Sequence, residues 1–494
     1  MTTGQARPVV RTDNGAVRGR IESQVAAFRG IPYAASPVGE LRFMPPRPHK
    51  GWSGIREAEQ AGPAAPQNSS RLELVMGTRT PDWNEDGCLT LNVWTPRGAL
   101  SDGARRPALL WWHGGGFTSG SGGWDWYDGA RLAELGDIVV VTANYRLGAL
   151  GYLHLPEIGA DNLGTQDQEA ALRWVHANVA AFGGDPDLIT VGGQSAGSFS
   201  ALNLALAPAN RGLIRRIILE SGPWGLEPQD PAVAAESASM FLGALGIADA
   251  ADPGAALRAL PIEQLLATHA RVSADAALIG AVAPIMYPVL GGAGTPVDLK
   301  AAVADGGLAG IDLLVGTTAN EMTSFFAFDD RIQNATAEQA VRIAADWFGT
   351  EAQALYRRAE AAGVDRTHAK ILTRLATTYM FESGIGWLTD NRGDRPAYVY
   401  RFDRSSPEDD GLLGAPHCAE LPFLFGTFDA YPDSPMLGSV DERARALGVA
   451  FGGALAAFVA TGSPNGATLA HWAPYHHDTA TGVTIFGAAA GIVS

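Results

Sequence analysis

The feature that most constrains this chain is a serine flanked by glycines, set between an apolar run and a helical one. Leu188-Ile189-Thr190-Val191-Gly192 reads as a buried strand that runs straight into Gly193-Gln194-Ser195-Ala196-Gly197, and Ser198–Ala207 reads as a helix. In that setting G-x-S-x-G is a sharp strand-to-helix turn that holds a nucleophilic hydroxyl above the edge of a sheet. Glycines are expected on both sides because a Cβ there would strike the neighbouring strand or helix. A helix starting just beyond the serine also points N–H groups at an anion forming beside it. Without such flanks the same five letters describe an ordinary tight turn.

The rest of the chain supplies the sheet that such a turn needs. Val9–Thr12 and Ala16–Gly19 alternate around Asp13-Asn14-Gly15, a hairpin signal. Strands are predicted at Pro107–Trp112, Ile138–Val141, Arg216–Leu219, Ile311–Val315 and Ala397–Tyr400, with a helix over Gln166–Phe182. Strands alternating with helices predict an α/β protein with a mostly parallel central sheet covered on both faces. Ala-rich stretches at Gln229–Ala309 and Ala335–Thr378 are predicted to be helical insertions around that sheet. No repeat or long polar linker divides the 494 residues, so 1–494 reads as one domain.

His113-Gly114-Gly115-Gly116-Phe117 follows the strand ending at Trp112, one strand–helix step before the serine. Backbone N–H groups in such a loop can reach an oxyanion with no side chain in the way. Gly115, Gly116 and the N–H of Ala196 are therefore the candidate donors, and His113 an anchor for the loop rather than a base. A base and an acid should follow the serine in the order acid, then histidine. His269 and His368 sit in polar helical surroundings and are expected in solvent, as is the pair His476-His477. His417 lies in a loop after the strand around Val399, where functional side chains collect. Glu321 follows the strand ending at Val315 across a short turn; Asp312 competes with it but lies within the strand.

The residues of the chain as a whole resemble the type B carboxylesterases. The likeness runs from Phe28-Arg29-Gly30-Ile31-Pro32-Tyr33-Ala34 through Cys88–Trp94, Asn144-Tyr145-Arg146-Leu147-Gly148 and Phe182-Gly183-Gly184-Asp185-Pro186. It ends at Glu420-Leu421-Pro422-Phe423 and Trp472-Ala473-Pro474-Tyr475. The resemblance implies the α/β-hydrolase fold, a triad of Ser195, Glu321 and His417, and oxyanion donors Gly115, Gly116 and Ala196. Three positions depart from the family pattern. Gln194 stands where Glu is frequent, removing a negative charge beside the serine. Met322 replaces the usual Gly after the acid and should narrow or reshape the pocket, and Cys418 replaces the usual Gly after the histidine. Cys88 lacks the upstream partner that closes a disulfide loop in animal members.

The expected activity is hydrolysis of small neutral carboxylic esters through an acyl-enzyme, with no metal or organic cofactor. Carbamate or amide hydrolysis by the same groups is the alternative, and a non-catalytic binding protein of the same fold a further one. Trp124, Trp126, Trp224, Phe325 and Phe326 are candidates for an apolar substrate pocket or for the core. A net charge of -16 disfavours nucleic acid and anionic membranes as partners. Two cysteines exclude a disulfide framework and suit free thiols in a reducing compartment. Met1–Val10 lacks the pattern of a signal peptide, and the apolar run Phe451–Ala460 is too short to span a bilayer. A soluble, cytoplasmic monomer is expected.

Overall fold

The computed structural model describes residues 7–390, 395–466, 469, 471–479, 481–488 and 491–493, so the first six residues of the N-terminal reading lie outside it. In chain order the strands are β1 (Val9–Thr12), β2 (Gly15–Arg18), β3 (Arg20–Glu22), β4 (Val25–Pro32) and β5 (Ile55–Glu57). They continue as β6 (Thr90–Pro96), β7 (Arg106–Trp112), β8 (Val139–Ala143), β9 (Gly184–Gln194) and β10 (Arg216–Glu220). The last four are β11 (Asp312–Thr318), β12 (Ala397–Phe402), β13 (Val483–Ala488) and β14 (Gly491–Val493). β1, β2 and β5 make a small sheet, with β1 and β2 the predicted hairpin. The other eleven form one sheet in the order β14-β13-β12-β11-β10-β9-β7-β8-β6-β4-β3. From β13 to β8 neighbouring strands are parallel, and antiparallel strands close both edges.

Side-chain alternation explains the two covered faces. In β7, Ala108, Leu110 and Trp112 enter one core while Leu109 and Trp111 enter another. In β10 and β11 the same split sends Ile217, Leu219, Leu313 and Val315 one way and Ile218 and Leu314 the other. Helices Leu163–Asn178 and Ala196–Leu206 cover the first face through Leu172, Val175, Phe199 and Leu202. Helix Glu442–Thr461 covers the second through Phe451, Leu455 and Phe458. At 20 residues this helix is long and apolar enough to cross a membrane, more than the ten-residue run suggests. Over half of its apolar window is buried inside the protein, as in a core helix.

Predicted elements recur with shifted ends. The helix after the serine starts at Ala196 rather than Ser198, and β9 starts at Gly184 rather than Leu188. The predicted helix Gln166–Phe182 starts at Leu163, and its last turn, Val179–Phe182, is 3-10. β4 and β6 carry no predicted counterpart, because both are buried on both faces and lack alternation, while Gly30, Pro32 and Asn92 interrupt their apolar runs. His269 is not in solvent. It lies on the buried face of helix Ile262–Ala276 with Leu265 and Val272, and burial pushes its imidazole down to about 4. His368 is half-buried against the hydroxyl of Tyr356.

Strand order places the site. The chain goes from β7 to β8 on one side, then returns to β9 on the other side of β7, so their carboxyl ends diverge at a crevice. The glycine loop leaves β7 there and Ser195 leaves β9. Beneath it, Arg146 and Asp167 form a buried bidentate pair, Nε to Oδ2 and Nη2 to Oδ1 at 2.7 Å each, with Arg146 Nη1 also donating to Met44 O at 2.8 Å. The pair fastens helix Leu163–Asn178 to the exit of β8, beside Gly148, whose N–H holds Phe117 O at 2.7 Å. Removing one partner of such a pair strands a buried charge. Arg146→Met should therefore lower the unfolding free energy by about 3–5 kcal/mol in urea titrations. A loss below about 1 kcal/mol would mean that the pair does not anchor this layer.

Candidate active site

The turn at Ser195 is built by close backbone packing. A Cβ on Gly197 would lie 2.1 Å from Trp112 O, and one on Gly193 would lie 2.4 Å from the carbonyl carbon of Gly197. Only glycine fits at either place. Ser195 itself has φ 58 and ψ −123, a conformation that costs a non-glycine residue about 1–3 kcal/mol. It is held by its N–H donating to Glu220 O at 2.9 Å, while Ser195 O accepts from Phe199 N at 3.0 Å. The hydroxyl faces a cavity lined by Gly114, Gly115, Gly116 and Phe325 and meets no hydrogen-bond partner among the described residues.

Glu321 and His417 come together because their loops are zipped to each other. Asn320 N donates to Ala415 O at 2.9 Å, Ala415 N to Asn320 Oδ1 at 3.0 Å, and Ser324 Oγ to His417 O at 3.0 Å. Both side chains are buried. Glu321 Oε1 accepts from Thr318 N at 2.7 Å, and Oε2 lies 2.5 Å from His417 Nδ1. With Nδ1–H donating to the carboxylate, Nε2 is left as an acceptor. It lies 3.3 Å from the side-chain amide nitrogen of Gln194, the neighbour of Ser195, and the ring sits between Phe325 and Phe381. Asp312 faces the opposite end of β11, where it pairs with Arg216 and Arg395.

In the glycine loop, Gly115 O accepts from the N–H groups of Thr118 and Ser119, which curls the loop over the cavity. The N–H groups of Gly115, Gly116 and Ala196 find no acceptor among the described residues. His113 stacks on Tyr145 at 4.5 Å, and its Nδ1 lies 2.8 Å from Gly114 O. Burial pushes it down to about 4, so it is a neutral anchor.

Trp124, Trp126 and Phe325 line the cavity; Trp224 instead packs on Trp387, and Phe326 stacks on Trp347. Met322 does not narrow the cavity, because its side chain turns into a separate cluster with Ile332, Ala376 and Phe381. Cys418 does reach the cavity, its thiol 3.6 Å from Gln194 Oε1 and pushed well up by burial. Cys88 and Cys418 are both free and buried. Arg71, Leu72 and Met76 also line the cavity, yet carry no sequence signal, because the segment has neither motif nor periodicity and reaches the site only through tertiary packing.

Comparison with known proteins gives a consistent set of relatives. A family model described as the carboxylesterase family matches residues 6–489. Phenmedipham hydrolase of Pseudarthrobacter oxydans is 38% identical, with 96% of this chain and 94% of that protein covered. The para-nitrobenzyl esterase of Bacillus subtilis (strain 168) is 34% identical, with 95% and 93% covered. The solved structure of a Geobacillus stearothermophilus carboxylesterase superposes with a TM-score of 0.83 at 34% identity, covering 97% and 96% of the two chains.

Beside the turn at Ser195 lies a pair of buried acids. Glu220 ends β10 in register with Gln194, and neither of its carboxylate oxygens has a partner among the described residues. Glu420 accepts from Ser221 Oγ at 3.2 Å. Burial first, then the neighbouring Glu420 charge, raises Glu220. Burial and the Glu321 charge push Glu420 up to about 8. The folded protein thus keeps this proton at pH values where the unfolded chain, near 4.5, has lost it. Its stability contribution is fully present below pH 4.5 and is lost as the pH rises through 8. The melting temperature of the native protein should therefore fall across that window relative to Glu420→Gln, which mimics the protonated form. Parallel pH profiles for the two proteins would contradict it.

Proposed function

Since the chain belongs to the carboxylesterase family and is a carboxylic ester hydrolase, we propose that Ser195 is its nucleophile, His417 its general base and Glu321 the acid that orients His417. The observation that carries this assignment is the buried Glu321–His417 pair, whose Nδ1 faces the carboxylate and whose Nε2 lies beside the turn that presents Ser195. His417 takes the proton of Ser195 Oγ as the oxygen attacks the ester carbonyl, and returns it to the departing alcohol. Water activated by the same nitrogen then releases the acid from the acyl-enzyme. For the first step Nε2 must exchange the Gln194 amide for the Ser195 hydroxyl, a tightening expected when substrate fills the cavity. The unpaired N–H groups of Gly115, Gly116 and Ala196 are assigned to the oxyanion, each worth on the order of 3 kcal/mol at the transition state.

The substrate assigned to this site is a small ester without positive charge. Gln194 offers no charge to a cationic alcohol, and Arg71 at the cavity repels one. Trp124, Trp126 and Phe325 supply apolar contact. An amide needs stronger protonation of its leaving group than an ester, and no carboxyl group among the described residues lines the cavity to provide it. A cytoplasmic location belongs to the same proposal, supported by the two free thiols.

A fluorophosphonate should label Ser195 alone and stoichiometrically. Ser195→Ala should lower kcat on the order of 10⁶-fold, and Glu321→Gln about 10⁴-fold. A matched nitroanilide should be cleaved more slowly than its nitrophenyl ester. Label on another residue, or an anilide that outruns its ester, would overturn the assignment.

A further inference from the structure

Arg71 is a cation placed at the cavity with nothing to pair it. Among the described residues no carboxylate oxygen lies within 4.0 Å of its nitrogens, not even that of Glu73 two positions on. By contrast, Arg79, eight positions on, and Arg331, on the same groove, each hold an aspartate. Its guanidinium stands over the Phe325 ring at 5.0 Å, and its Nη2 would be 3.3 Å from a Cβ on Gly116. Phe325 in turn lies 5.5 Å from the His417 ring. Arg71 therefore bridges the glycine loop and the histidine at the cavity rim.

The same residue lines a second depression. Outside the cavity a groove runs past Leu74, Leu278 and Phe328, which are 63%, 66% and 46% exposed, with Asp329, Asp330 and Arg331 also on its wall, and shares only Arg71 and Phe325 with the inner chamber. Protein crowds the guanidinium, and this desolvation pushes it down to about 10, with no carboxylate offsetting the loss. It still carries its charge at neutral pH and stays exposed to the cavity.

We propose that Arg71 recognises a carboxylate on the substrate, so that the preferred esters carry an anionic group a few atoms from the scissile carbonyl, at the junction of cavity and groove. This deepens the ester-hydrolase reading of the Ser195 site and rests on it. Planar guanidinium and carboxylate match as a two-pronged pair, and an exposed cation held over the Phe325 ring presents its free edge to such a group. The overall charge of -16 does not prevent this, because at physiological salt the diffuse field is screened beyond about 8 Å while the contact at Arg71 is direct. Neutral esters fit the apolar walls; the anionic ones gain one further contact.

The test compares mono-4-nitrophenyl glutarate with 4-nitrophenyl pentanoate, which share chain length and leaving group and differ in the terminal carboxylate. Rates are corrected with Ser195→Ala, which removes self-hydrolysis of the glutarate. The ratio of kcat/KM, anionic over neutral, should fall roughly tenfold or more in Arg71→Gln, mostly through KM. Arg71→Lys should keep part of the preference, and added salt should reduce the ratio in the native protein. A ratio that is the same in the native protein and Arg71→Gln overturns the proposal. If both rates fall together at that unchanged ratio, the guanidinium serves the oxyanion or the shape of the cavity. If neither ester is hydrolysed above the Ser195→Ala background, the ester-hydrolase reading of Ser195 fails and the proposal falls with it.

Discussion

The site depends on a contact between two backbones. Gly197 approaches Trp112 so closely that a single added carbon would sit 2.1 Å from the carbonyl oxygen. That approach locks the first turn of helix Ala196–Leu206 to the end of β7, and so fixes Ser195 relative to the glycine loop that leaves β7. The strained φ of Ser195 persists because β10 and the helix hold it on both sides, through Glu220 O and Phe199 N. A hydroxyl raised in this way has no partner among the described residues, and neither have the N–H groups of Gly115, Gly116 and Ala196.

The remaining parts are delivered by topology. Parallel strands end on the same side of the sheet, so the loops after β7, β9, β11 and β12 converge there although their starts range from Trp112 to Phe402 in the chain. The hydrogen bonds between the loops around Asn320 and Ala415 turn this rough convergence into a 2.5 Å contact between Glu321 and His417. The buried acids Glu220 and Glu420 lie at the end of β10 beside this turn, and burial raises both above the ordinary carboxylate range, which disfavours negative charge next to the Ser195 hydroxyl. Gln194 extends the same neutrality to the position beside Ser195.

Ser195 and the glycine loop were legible in the sequence because their constraint is local: glycine spacing next to an apolar run encodes a backbone path. The Glu321–His417 pairing was legible from chain order and their place after strands, and parallel strands β7 to β12 from their short apolar runs, whereas β13, also parallel, was not. What depended on tertiary packing was not. Arg71 reaches the cavity from a segment without pattern, and Met322 turns away from a pocket that it adjoins in sequence. His269 looked solvated because polar neighbours in the chain lie on the opposite face of its helix. β4 and β6 were invisible because strands buried on both faces lose the alternation that marks a half-buried one. The contact of Gln194 with His417 joins positions 223 residues apart and no sequence pattern announces it.

The most direct test of this account is a crystal structure of the protein after reaction with a phosphonate. The account predicts phosphorus bonded to Ser195 Oγ, with the phosphoryl oxygen within about 3.1 Å of the N–H groups of Gly115, Gly116 and Ala196. His417 Nε2 should then face the Ser195 oxygen rather than the Gln194 amide. A phosphoryl oxygen turned away from those three donors, or phosphorus on any other side chain, would contradict it.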